Sequence, residues 1–157
     1  MGPLEELKTL TKSPEETFGF GEHLAATLKA GDVLLLTGEL GAGKTTLIQG
    51  IASGLGIKQQ ITSPAFKLLS IYRGRLELYH FDLYRLSRLK DIEDIGITDY
   101  LYSGNGVVVV EWAEKARALW PQKKIEIYLS ILNENEREIV VKRIPGNDTK
   151  TNESSGN

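Results

Sequence analysis

Residues 38–45 read Gly-Glu-Leu-Gly-Ala-Gly-Lys-Thr, a complete match to G-x-x-x-x-G-K-[ST]. Before it, 32–37 is a compact apolar run suited to a strand buried on both faces; after it, 45–55 carries apolar residues at helical spacing. Strand, glycine loop and helix in that order leave few arrangements open. The glycines let the backbone curl until successive N–H groups, backed by the positive end of the following helix, surround phosphate oxygens. Gly38, Glu39, Leu40, Gly41, Ala42 and Gly43 are therefore candidate nucleotide-binding residues. Lys44 would reach the β- and γ-phosphates, and Thr45 would offer its hydroxyl to Mg²⁺ with Thr46 beside it. The plainer alternative, a glycine-rich turn next to an unrelated lysine, has no need of the flanking strand and helix.

A loop of this kind calls for a carboxylate at the end of a neighbouring strand, because Mg²⁺ takes hard oxygen ligands and the attacking group needs orienting. Two places offer one. The β-branched run 107–110 ends in Glu111, and the run 76–81 ends in Asp82, with Leu76, Leu78, His80 and Asp82 on one face by the period of two. Either acid could instead be a strand-end charge meeting solvent. We assign Glu111 to Mg²⁺, directly or through water, and Asp82 to orienting or deprotonating the attacking water. His80, with apolar strand neighbours, reads as a structural hydrogen-bonding residue. Thr62 and Ser63, ahead of Pro64, form either a turn or a loop that senses the γ-phosphate. Tyr84 and Arg85 are surface cover or a partner or phosphate contact; Trp112 is core or lies beside the nucleotide or at an interface.

Elsewhere the pattern predicts a strand over 4–11 and a helix opened by the capping box Ser13-Pro14-Glu15-Glu16 and stopped at Gly31. Strands over 66–72 and 76–81 flank Arg73-Gly74 as a two-residue hairpin turn, so the sheet is mixed. Short helices are expected in 86–102, and another short helix after 110. A terminal hairpin over 125–132 and 138–144 turns at Asn133-Glu134-Asn135. One domain covers 1–144, and the polar stretch 145–157 is expected to be disordered. A formal charge of -2 disfavours a stand-alone nucleic-acid binder, so any RNA would be held by a partner. The absence of cysteine excludes disulfides, thiol catalysis and the usual structural zinc sites. No apolar run approaches the roughly 20 residues of a membrane span, and residues 1–6 lack the features of a signal peptide. A reducing, cytoplasmic compartment is expected.

Residues 38–46, Thr62-Ser63-Pro64-Ala65-Phe66, His80-Phe81-Asp82-Leu83-Tyr84-Arg85-Leu86 and Glu111-Trp112 together resemble the bacterial TsaE (YjeE) family of small P-loop ATPases in order, spacing and chain length. The resemblance implies an α/β, P-loop NTPase-like three-layer fold with a mixed, mainly parallel central sheet flanked by helices. It also implies an Mg-dependent ATPase, slow alone and stimulated by partners, that supports formation of N6-threonylcarbamoyladenosine next to the anticodon of tRNAs. The implied cofactors are ATP and Mg²⁺. The implied partners are the TsaB and TsaD subunits of a heterodimer, with tRNA reached indirectly through that complex. By the same resemblance Lys44 and Thr45 hold phosphates and Mg²⁺, Glu111 is the second metal ligand and Asp82 the hydrolytic residue. Thr62 and Ser63 fall in its switch-like segment, and Tyr84 and Arg85 in its partner-facing region. Ala65 stands where Thr is commoner.

Two rivals share the loop. A small-molecule kinase needs an acceptor pocket and an arginine-bearing lid, for which only Arg85 and Arg88 are at hand; a nucleotide-responsive scaffold would bind ATP without needing to hydrolyse it. A GTPase is disfavoured because Thr11-Lys12-Ser13-Pro14 lacks the Asp of the guanine motif. Candidate adenine contacts lie at 11–13 and 133–137.

Overall fold

Alternation along the apolar runs decides how the layers stack. In a computed structural model, which describes residues 4–61 and 68–146, β2 (Val33–Thr37) sends Leu34 and Leu36 to one face of the sheet and Val33 and Leu35 to the other. The first face is covered by α1 (Pro14–Ala25) and α2 (Lys44–Gly54), whose Leu24, Leu47, Ile48 and Ile51 pack there. The second is covered by α3 (Leu89–Asp94), α4 (Ile97–Ser103) and a 3₁₀ segment (Ala113–Leu119), through Ile92, Ile97, Leu101 and Ala113. Three layers result, as expected. Each fully enclosed Leu, Ile or Val contributes roughly 1.5–3 kcal/mol.

Between the helix layers lies one seven-stranded sheet in the order β1-β7-β6-β2-β5-β4-β3. Its remaining strands are β1 (Glu5–Thr11), β3 (Leu69–Arg73), β4 (Glu77–Asp82), β5 (Gly106–Glu111), β6 (Lys124–Ile131) and β7 (Arg137–Ile144). The sheet is mixed, as expected, with parallel pairing throughout its central strands β6, β2, β5 and β4. Antiparallel pairings attach β3 on one flank and β7 and β1 on the other. β5 is buried along its whole length, which is why 107–110 is an unbroken β-branched run.

Several local expectations hold in detail. Glu16 N–H donates to Ser13 Oγ at 3.1 Å while Lys12 N–H donates to Glu16 Oε1 at 2.8 Å, a complete capping box with Pro14 at the first helical position. Others are corrected. The first helix ends at Ala25, well short of Gly31, where the backbone tightens to i→i+3 bonds: Thr27 N–H donates to Leu24 O at 3.0 Å and Leu28 N–H to Ala25 O at 3.1 Å, with Thr27 Oγ1 and the Arg75 guanidinium adding bonds to the same carbonyls at 2.7 and 2.9 Å. Gly31, at φ 97°, instead donates its N–H to Gly106 O and feeds the chain into β2. The β3–β4 hairpin is not a two-residue turn, since Arg73 pairs with Glu77 and leaves Gly74, Arg75 and Leu76 as the connection. Arg75 N–H donates to Leu55 O at 2.6 Å, so the hairpin tip is tied to the end of α2, which a tighter turn would not reach. The expectations for residues 62–67, and for the tail from 147 on, lie outside the described residues. Among the described residues no helix is long and apolar enough to cross a membrane.

Candidate functional site

Open α/β sheets present ligand sites at the carboxyl ends of their parallel strands. Here β2 ends at Thr37 and the chain passes through 38–43 into α2, while β4 and β5 end beside it at Asp82 and Glu111. These two acids are register partners on adjacent parallel strands. A cleft of about 440 Å³ is lined by Leu40, Gly41, Gly43, Lys44, Thr45, Thr46, Leu68, Asp82, Tyr84, Arg85, Glu111 and Trp112. Sequence separations of tens of residues are thus closed within a single hollow.

The start of α2 suits an anion. Gly43 occupies the position before the helix at φ 101° with no side chain to cap it, and the first turn holds no acid. The leading amides of the helix therefore keep their donors for a ligand. Gly41 also has a positive φ, 82°, which bends the loop over the helix end. Ala42 differs from its neighbours: its side chain is fully enclosed in the core, so it serves the loop through its backbone, where its N–H donates to Glu39 O at 3.0 Å. Gly38 and Glu39 line an adjoining open groove with Thr37, Leu40, Tyr84, Trp112 and Glu114.

Lys44 is buried. Its ammonium donates to Gly38 O and lies 3.7 Å from the centroid of the Trp112 ring, a cation–π contact. Burial pushes its pKa below the ordinary lysine range, opposed by the nearby charges of Glu111, Glu114 and Asp82. Trp112 is the one non-glycine residue with positive φ among the described residues, φ 62°. Its ring pairs with Tyr84 at 5.0 Å between centroids. Tyr84 is largely exposed, and Arg85 is exposed beside it. Lys115 ties this loop to the 3₁₀ segment, donating to Tyr84 O at 2.5 Å and Leu86 O at 3.0 Å.

Glu111 is buried and accepts a hydrogen bond from His80 Nε2 at 2.7 Å. Asp82 is half-buried, and its Oδ1 accepts from Tyr84 N–H at 3.0 Å. Sequence reasoning placed His80 as structural but did not pair it with Glu111, and it passed over Glu114 and Lys115. The Glu-Trp-Ala-Glu spacing was the available signal for Glu114. Thr62 and Ser63 lie outside the described residues.

The donor set fits a hard divalent ion: oxygens from the Thr45 hydroxyl and the Glu111 carboxylate face the same cleft. Among the described residues no group of three or more His, Asp or Glu could hold a metal alone. Phosphate oxygens and water would have to complete the shell, as is usual for Mg²⁺. A second cleft of about 200 Å³ adjoins the loop, lined by Ser13, Pro14, Thr17, Gly41, Gly43, Thr46, Glu134, Asn135 and Arg137. It brings together both segments singled out for adenine. Arg137 links the 133–137 turn to the loop, donating to Gly41 O at 3.2 Å and Asn133 O at 2.8 Å.

Residues 11–139 match the family model described as "Threonylcarbamoyl adenosine biosynthesis protein TsaE". The chain is similar to the "tRNA threonylcarbamoyladenosine biosynthesis protein TsaE" of Treponema pallidum (strain Nichols), 43% identical over 135 residues that cover 86% of this chain and 99% of the relative. It is also similar to the protein of the same name from Bacillus subtilis (strain 168), 43% identical over 137 residues covering 87% and 85%. Its fold matches a solved structure described as "Crystal structure of Bacillus subtilus YdiB" with a TM-score of 0.79 at 36% identity, across 99% of this chain and 96% of that one. With its phosphate loop, its two strand-end acids and the extent of these matches, the chain belongs to the TsaE family.

Proposed function

We propose that this chain binds ATP with Mg²⁺ at 38–46 and hydrolyses it, as the nucleotide-driven component of tRNA threonylcarbamoyladenosine formation. The observation that carries the ATPase reading is the register pairing of Asp82 with Glu111 in the cleft that also holds Lys44 and Thr45. The tRNA role is supported by the names its relatives carry.

The α2 amides and Lys44 grip the phosphates, Lys44 leaving Gly38 O and the Trp112 ring to do so. Thr45 and Glu111 hold Mg²⁺, Glu111 directly or through water; when bound, the ion neutralises charge on the phosphate oxygens. Asp82 orients the attacking water or takes its proton. The second cleft suits the nucleoside. Leu40, Tyr84 and Arg85, exposed at the rim, suit contact with a TsaB–TsaD heterodimer, which would carry the tRNA and could speed turnover by completing the rim. We assign the chain to the cytoplasm, where tRNA is modified.

Measuring nucleotide affinity and phosphate release on the same protein tests this reading. Asp82→Ala is expected to bind ATP within about threefold of the parent and to lose hydrolysis by the 10²–10⁴-fold typical of a lost general base. An equal loss of binding would make Asp82 structural. Phosphoryl transfer to a metabolite, in place of free phosphate, would favour the kinase. Multiple turnovers of tRNA modification with the heterodimer, with and without this chain, test the partnership.

A further inference from the structure

We propose that His80 is a positioning residue for the metal side of the cleft: it fixes one oxygen of Glu111 so that the other is presented to the ion. The inference rests on the role given to Glu111 above and concerns the group that makes that role possible.

Asp82 and Glu111 end adjacent parallel strands as register partners, so two carboxylates meet at one place with Lys44 as the nearby cation. An unrestrained Glu side chain there would swing away from Asp82 and toward the ammonium. His80 prevents this. It precedes Asp82 by two residues on the same face of β4, lies opposite Val109 in β5, and from there reaches Glu111 Oε2 at 2.7 Å. An ionised carboxylate only accepts, so Nε2 carries the proton and donates.

The ring has no other polar task. His80 is fully enclosed, and its Nδ1 finds no hydrogen-bond partner among the described residues. A residue chosen for filling this space would be apolar, like Leu78 and Phe81 on the same strand, because an unpartnered buried nitrogen is costly. What His80 supplies that Leu cannot is a single N–H aimed at one oxygen of the acid. Groups that orient a metal ligand in this way typically change metal affinity by 10–100-fold when lost.

The test is titration calorimetry of the full chain with a non-hydrolysable ATP analogue, once with Mg²⁺ and once with EDTA, so that the ratio of affinities isolates the metal's contribution. His80→Leu is expected to lower that ratio about 10-fold or more while leaving the EDTA affinity unchanged. His80→Gln, whose amide nitrogen falls near the position of Nε2, is expected to restore most of the ratio. Should the leucine variant not fold, His80→Asn, whose amide cannot reach Glu111, carries the same expectation. Glu111→Gln separates the two levels of the argument. If it lowers the ratio but His80→Leu and His80→Asn do not, the positioning role is wrong and the cleft reading stands. If Glu111→Gln leaves the ratio intact, both are wrong. Equal losses in His80→Gln and His80→Leu would also overturn the proposal, since a donor at the right place would then have done nothing.

Discussion

Gly50 and Gly19, both inside helices, are expected to respond to alanine with opposite signs. A Cβ added at Gly50 in α2 would sit 2.1 Å from Phe18 O and 2.9 Å from Phe18 C in α1. Ordinary contact begins near 3.4 Å, so the two helices would have to part by about 1 Å along this seam. Leu47 and Ile51, fully enclosed on either side, would lose part of their packing. Overpacking of this kind costs about 1–3 kcal/mol, against a gain of up to about 1 kcal/mol from replacing a helical glycine. A clash with backbone oxygen at 2.1 Å falls at the upper end of that cost, so the net expectation for Gly50→Ala is a loss of about 2 kcal/mol, a fall in Tm of roughly 4–8 °C for a chain of this size. At Gly19 an added Cβ meets nothing within 4 Å, so Gly19→Ala is expected to gain up to about 1 kcal/mol. Urea unfolding at constant m-value reads both. Gly50→Ala at or above parental stability would refute the argument that α1 and α2 touch backbone to side-chain position there. Gly19→Ala destabilising to the same degree would show that the space around the added Cβ does not govern the outcome.

Removing the ammonium in Lys44→Ala is expected to weaken ATP binding about 10- to 100-fold, matching about 1.5–3 kcal/mol for hydrogen bonds to a charged group; calorimetry showing unchanged affinity would contradict its place on the phosphates. The Tyr79 hydroxyl donates to Glu77 Oε1 at 2.5 Å, and this bond together with burial pushes its pKa up to about 12 from 10.0. The folded chain therefore keeps a proton that the unfolded chain releases, so this contribution to stability is complete below pH 10 and is lost as pH rises through about 12. Urea midpoints across that interval should fall less steeply for Tyr79→Phe than for the parent, and parallel curves would count against the assignment.

The loop and the strand ends were legible because their chemistry is local: eight consecutive residues specify the phosphate cradle, and an apolar run closing on an acid marks each carboxylate. The side of the sheet on which His80 and Asp82 fall followed from the period of two. What the residues did not disclose depends on contacts distant in the chain. The end of α1 is met by Arg75 from the β3–β4 connection, and that connection in turn is held by Leu55 O at the end of α2. The strand order that brings β4 and β5 together, and so pairs Asp82 with Glu111, is likewise a property of the assembled sheet. Trp112 gave no warning of its backbone conformation, because a left-handed residue is usually signalled by Gly or Asn.

That conformation has a consequence for what the fold gives up. Left-handed backbone costs a bulky residue about 1–2 kcal/mol, and a glycine at 112 would remove the cost. It would also remove the aromatic plate against which Lys44 rests 3.7 Å away and beside which Tyr84 stands. Because the ring also packs against the core beneath α3, α4 and the 3₁₀ segment, its contacts outweigh that strain, and emptying position 112 is expected to cost heat resistance as well as leave the resting lysine without its platform.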